Sequence, residues 1–177
     1  MIIRRAVLED AKGIAEVHVQ SWQETYKGIV DQAYLDNLKV EERYRRWKAG
    51  LASKSDSEPT YVAESNEGRI IGFASFGPER TKKYGVDGEL YAIYLLENYK
   101  GRKVGTALFQ AGINELVKTY SSILVWVLAE NKSKLFYEKF HPEKADEVEI
   151  EIAGNKHKEI AYVWQDIEVL KQSFSTE

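Results

Sequence analysis

Three cations, Lys100, Arg102 and Lys103, crowd a turn that also holds Gly101 and Gly105. The turn separates a β-forming run, Leu90 to Leu96, from a helix-forming run that starts at about residue 103. A strand that feeds a helix through such a turn leaves backbone N–H groups unpaired at the positive end of the helix dipole. The chemistry this predicts is anion binding, as of a pyrophosphate. A Walker A loop would need a lysine directly after its last glycine. Gly105 is followed instead by Thr106-Ala107, which sets nucleotide hydrolysis aside.

The elements that must hold this turn can be traced along the chain. Ile2 to Ala6 reads as a first strand, and Leu8-Glu9-Asp10 opens a helix with acidic residues in its first turn, where they suit the dipole. His18, Trp22 and Tyr26 follow on that helix at four-residue steps and form a stripe beside Ile14, Val17 and Ser21. Helical stretches are predicted at Asp31 to Leu38 and at Glu41 to Leu51, where Tyr44, Trp47 and Leu51 share a face. Thr60 to Ala63 and Arg69 to Phe76 read as a hairpin around Asn66-Glu67-Gly68, and Glu79 to Asp87 as a loop. Leu90 to Leu96 is apolar at nearly every position, which predicts a strand covered on both faces. A helix to Tyr120, a buried strand at Ile123 to Leu128 and a short helix at Asn131 to Phe140 follow. Val148 to Ile152 and Ile160 to Trp164, joined through Gly154-Asn155, predict a closing hairpin. The sum is an α/β (α+β) domain over residues 1–170, a mixed sheet of about six or seven strands with helices on both faces and a C-terminal tail over 171–177.

Composition narrows the chemistry further. The 177 residues suit one domain, and no cysteine is present, which excludes disulfides, thiolate zinc sites and a cysteine nucleophile. His18, His141 and His157 lie far apart without metal-ligand spacing, so no metal is expected. A net charge of -3 argues against a nucleic-acid partner, although a local pocket can differ from the average. No apolar run approaches the ~20 residues of a membrane span, and Met-Ile-Ile-Arg-Arg is not a signal peptide. A cytoplasmic protein without a membrane partner is expected. The cluster Arg43 to Lys48 reads as the exposed face of a helix, and Trp126 and Trp164 as core aromatics.

The succession of strand, basic glycine turn, helix, strand, Asn131 and Phe136-Tyr137-Glu138-Lys139 resembles the GNAT superfamily of N-acetyltransferases. In that family the turn has the form Gln/Arg-x-x-Gly-x-Gly/Ala and holds the pyrophosphate of acetyl-CoA. Lys100-Gly101-Arg102-Lys103-Val104-Gly105 is the matching stretch here. It departs twice: Lys100 stands where Gln or Arg is usual, and Lys103 replaces the first family glycine.

The resemblance implies a GNAT fold and an acyl-CoA-dependent acetyltransferase acting on a primary amine, with acetyl-CoA as co-substrate. It places Ile93, Tyr94 and Leu95 along the pantetheine arm, Lys100 to Thr106 (Gly101, Arg102, Lys103, Val104 and Gly105 between them) around the diphosphate, and Asn131 beside the cofactor arm. The next strand is expected to splay away and admit the cofactor, with an N–H near Leu95 as oxyanion donor, a group whose removal costs ~10²-fold or more. Tyr137 matches the tyrosine that protonates the departing thiolate. Glu89 lies eleven residues before Lys100, an offset similar to that of the base glutamate in histone-acetylating members; other members deprotonate the amine through waters. His18, Trp22 and Tyr26 would line the acceptor side. The acceptor would be a small-molecule amine or a peptide, and because GNAT enzymes are often dimers, the exposed edge of the last hairpin is offered for a homodimer. Two rival readings stand beside this one: a non-catalytic acyl-CoA sensor, and a protein N-terminal or lysine acetyltransferase.

Overall fold

The computed structural model describes residues 1–53 and 55–175. Its centre is a seven-stranded sheet in the order β1-β2-β3-β4-β5-β7-β6. The strands are β1 (Ile2–Arg5), β2 (Thr60–Glu64), β3 (Ile70–Pro78), β4 (Gly88–Leu95), β5 (Ile123–Leu128), β6 (Glu143–Ile152) and β7 (Asn155–Trp164). Every neighbouring pair is antiparallel except β4 and β5. The mixed sheet with helices on both faces is the expected architecture.

Helices α1 (Ala11–Thr25), α2 (Gln32–Asp36) and α3 (Val40–Ser53) precede β2. Arg4 fixes the start of α1: its guanidinium holds both oxygens of Asp10, at 2.7 and 2.8 Å, while Asp10 also accepts from the Val7 N–H. Further on come α4 (Val104–Leu116), α5 (Lys134–Glu138) and α6 (Ile167–Ser173). α4 lies so close to β3 that a Cβ on Gly112 would fall 2.0 Å from the Phe76 ring. Only glycine fits there.

Phe109 on α4 gathers the far end of the molecule. Its ring meets those of Phe136, Tyr137, Phe140, Trp164 and Phe174 at tilted or edge-on angles. Such arrangements suit the aromatic quadrupole, and here they lock α5 and α6 against α4. The Trp164 indole donates to the Phe140 carbonyl at 2.7 Å, and Tyr162 to Glu138 at 2.6 Å, tying α5 to β7 as well.

Several boundaries differ from the sequence expectation. β4 is covered on both faces only at Gly88 to Leu90; from Tyr91 to Leu95 it is partly exposed, because β5 turns away. α5 is shorter than the expected Asn131 to Phe140, since Asn131 folds back in an Asx turn and accepts from the Ser133 N–H at 2.9 Å. β6 starts at Glu143, and the loop residues of the last hairpin are Ala153 and Gly154, with φ of 51° and 80°. Two positive φ values make a type I′ turn, so Asn155 already belongs to β7. Residues 171–175 are not a free tail: Asp166 caps α6 by accepting from Glu168 N–H, and Phe174 is buried against Phe140. Residues 176–177 lie outside the described ones.

Candidate active site

The basic turn is built as its composition suggests. After β4, Leu96 is buried, Glu97–Tyr99 form a single 3-10 turn and Lys100 is extended. Gly101 has φ of 73°, and Lys103 caps α4 with φ of 60° and ψ of 10°. The first backbone bond across this cap runs from Ala107 N–H to the Lys103 carbonyl, and among the described residues no side chain caps the helix. The N–H groups of Val104, Gly105 and Thr106 therefore face outward without an intrahelical carbonyl. Lys100 Nζ rests on Glu97 at 2.6 Å, and the Arg102 guanidinium lies 5.7 Å from the centre of the Tyr99 ring. A Cβ on Gly105 would meet only Phe136, at an ordinary 3.7 Å. These donors fit a diphosphate, and a left-handed lysine has been accepted where the family places glycine.

β4 and β5 pair at three positions only, Gly88 with Ile123, Glu89 with Leu124 and Leu90 with Val125. Beyond that point Ile93, Tyr94 and Leu95 pair with β3 alone, and their other edge faces a gap. Tyr91 sits at a bulge, because Phe76 and Ser75 of β3 pair with Leu90 and Ala92. The splay expected from the resemblance is present.

Tyr137 sits by this gap. It is buried, wedged edge-on between Phe109 and Phe136, and its hydroxyl makes no hydrogen bond among the described residues. Burial, and then the nearby Tyr94 phenol, push its pKa well above the ordinary tyrosine value, so it is a neutral O–H donor. Buried Tyr26 lies within electrostatic reach of Tyr94, Tyr137 and Asn131, and its pKa too is raised, mainly by burial. The structure thus brings Tyr137, Tyr94, Asn131 and Tyr26 together; Tyr26 belongs to this cluster.

His18 and Trp22 border the same cluster from α1. The His18 ring stacks on Tyr94 at 5.3 Å and 19°, and its Nδ1 accepts from the Trp47 indole N–H at 3.1 Å. Burial, then the charges of Arg43 and Arg46, hold its pKa down to about 3. This histidine is neutral at physiological pH and cannot serve as a useful base. The buried Trp22 indole N–H makes no hydrogen bond among the described residues, but lies near enough to the Tyr94 hydroxyl to offset part of the rise that burial causes in its pKa. A cavity of about 280 Å³ opens on this side between α1, α3, β3 and β4, with His18, Trp47, Tyr91 and Ala92 in its lining.

Glu89 is not in this cluster. It is buried five residues back along β4 from Tyr94, and its carboxylate is taken by Arg80 through the backbone N–H at 3.0 Å and the guanidinium at 2.6 Å. Both of its oxygens are engaged by Arg80, which turns them away from the cluster. Sequence reasoning missed Glu159 instead. On β7 it stands opposite Leu128, which packs with Tyr94 and Tyr26, and it makes no ion pair or hydrogen bond among the described residues. Its pKa is raised, first by burial and then by the charge of Glu89. A glutamate within a charged hairpin carries no sequence signal of this; only the β5–β7 register reveals it.

Residues 16–141 match the model of the Acetyltransferase (GNAT) family. The chain is 42% identical over 170 residues to the N-acetyltransferase YuaI of Bacillus subtilis (strain 168), covering 96% of this chain and 95% of that one. It is 28% identical over 109 residues to spermidine N(1)-acetyltransferase of Thermoplasma acidophilum, covering 60% and 64% of the two chains. Among solved structures, the PaiA N-acetyltransferase of Thermoplasma acidophilum in complex with coenzyme A superposes with a TM-score of 0.65, at 23% identity, over 89% of this chain and 96% of that one. The chain belongs to the GNAT family and is an acyl-CoA-dependent acetyltransferase.

Proposed function

We propose that this protein moves the acetyl group of acetyl-CoA to the primary amine of a small molecule, by direct attack with both substrates bound. The observation that carries the reading is the shared position of three features: the open edge of β4, the uncapped start of α4, and the unengaged Tyr137 hydroxyl. Acetyl-CoA supplies a thioester carbonyl with a thiol leaving group. The N–H groups of Val104, Gly105 and Thr106 would hold its diphosphate, Ile93 to Leu95 would pair with its arm as an added strand, and Asn131 would flank that arm. A β4 N–H near Leu95 would accept the developing charge on the carbonyl oxygen.

Attack requires a neutral amine, so a group must remove the ammonium proton. Glu159 is the better placed carboxylate, because Glu89 is held by Arg80. As the C–S bond breaks, the Tyr137 O–H donates its proton to sulfur, and the second proton that the nitrogen sheds as the amide forms returns to the Tyr137 phenolate. The transfer to sulfur is uphill for an exposed phenol and thiol, and burial of Tyr137 makes it more so, so position and the breakdown of the tetrahedral intermediate must drive it. The PaiA structure with coenzyme A shows that this fold accommodates the ligand in a relative. The cavity walled by α1 and α3 supports a small acceptor rather than a protein chain.

Tyr137→Phe tests the assignment. Turnover should fall ~10²-fold or more while acetyl-CoA affinity stays unchanged. Unaltered turnover would remove Tyr137 from the mechanism. As for a homodimer, pairing through the β6 edge would bring its charged row, including Glu147, Glu149 and Glu151, against a second copy. We therefore place any dimer contact on another face.

A further inference from the structure

Six charged residues lie between Glu41 and Lys48 on α3, and a solvated helix face would send them all outward. Two do not go. Arg45 turns out to pair with Glu41 at 3.2 Å, and Lys48 lies over the Tyr44 ring. Arg43 and Arg46, one turn apart, instead line the cavity above Ser75, Tyr91 and Ala92, together with Trp47. They also line a second recess of about 300 Å³ beside Tyr34 and Lys39. Glu42 borders that recess, yet makes no ion pair with either arginine. Neither guanidinium has a hydrogen bond or ion pair among the described residues, and Arg43 is half-buried. Their charge reaches inward as far as the His18 ring and, for Arg43, the Tyr94 hydroxyl.

A half-buried positive charge without a partner, as at Arg43, is unfavourable unless an anion completes it, and exposed Arg46 adds a second charge at the same rim. Two guanidiniums one helical turn apart can each grip a planar or tetrahedral oxyanion through two N–H groups. We infer that the acceptor carries an acid group besides its amine, a carboxylate or phosphorus oxyacid seated on Arg43 and Arg46 while the amine reaches toward Tyr94 and Tyr137. This rests on the amine-acetylation reading above. It excludes polyamines as preferred acceptors, since a second cation would meet the same two charges.

The test is CoA release from acetyl-CoA by the full chain with a matched library: the common amino acids, their amides, their decarboxylated amines, simple aminophosphonates, and spermidine as cationic comparison. At least one acid-bearing acceptor should exceed its neutral partner in kcat/KM by about tenfold or more. Arg43→Gln and Arg46→Gln should collapse that ratio toward one, with the acetyl-CoA dissociation constant and the melting temperature kept. A preference for amides, plain amines or spermidine would overturn the inference and leave acetyl transfer standing. So would an arginine variant whose loss lies in acetyl-CoA binding. Absence of release from every member, with acetyl-CoA still bound, would remove the amine reading itself and this inference with it.

Discussion

A neutral histidine under two arginines has a measurable consequence at the scale of the residue. Free histidine takes a proton near pH 6.5, whereas folded His18 resists until about pH 3. Between those values the unfolded chain binds a proton that the folded one excludes, so stability falls as pH drops from 6.5 toward 3. The steepest slope from this one group is about 1.4 kcal/mol per pH unit. Urea titrations of wild type and His18→Gln between pH 7 and 4 should show the shallower dependence in the variant; equal slopes would mean that His18 does not drive it. Glu159 makes a second prediction. Glu159→Gln should depress kcat/KM for the amine and remove the acidic limb of its pH profile, while Glu89→Gln should chiefly lower stability by freeing Arg80. The reverse ranking would restore Glu89 as the base. Tyr137 and Asn131, singled out by their order after the turn, stand together with Tyr26 beside the gap in the sheet. The half-burial of Glu159 and Arg43 was not legible, because charged residues on a hairpin or an amphipathic helix look solvated until the partners across the sheet are known.

Among the elements, the turn into α4 stores a small strain. Lys103 occupies the left-handed region at φ 60°, where a Cβ costs about 1–2 kcal/mol. Lys103→Gly should therefore stabilise the fold by about 1 kcal/mol, read as a higher denaturant midpoint at unchanged slope; a lower midpoint would show that the lysine side chain compensates for its backbone. Gly112 has the opposite requirement. Alanine there gains helix propensity of about 1 kcal/mol, but its methyl would overlap the Phe76 ring at 2.0 Å, and overpacking of this kind costs about 1–3 kcal/mol. Elements with an apolar period, such as α1, β3, β5 and most of α4, stand close to where the sequence places them. The first half of β6 was hidden because Glu143 to Glu147 alternate without an apolar residue other than Ala145. α6 escaped for another reason: seven residues are too few to display a helical period, although Asp166 carried the cap signal.

Taken whole, the molecule separates its tasks across the sheet. Aromatic packing around Phe109 makes one face rigid and fixes α5, while the opposite face gathers His18, Trp47, Arg43 and Arg46 around a cavity. Between the faces, the parting of β4 from β5 opens the sheet beside the basic turn. Among the described residues no helix is long and apolar enough to cross a membrane, and no group of histidine, aspartate and glutamate is arranged to hold a metal. The parting of the strands was foreseeable only through the family likeness, since continuous apolar residues from Leu90 to Leu96 imply the reverse. Everything proposed for catalysis depends on the main chain at residues 103–106 seating a diphosphate. Calorimetric titration with coenzyme A and with pantetheine, which shares the thiol arm but lacks the diphosphate, addresses this directly. Coenzyme A should bind at one site per chain and pantetheine about a hundredfold more weakly or worse, a difference of about 2.7 kcal/mol. Equal affinities, or no heat from coenzyme A, would contradict the account.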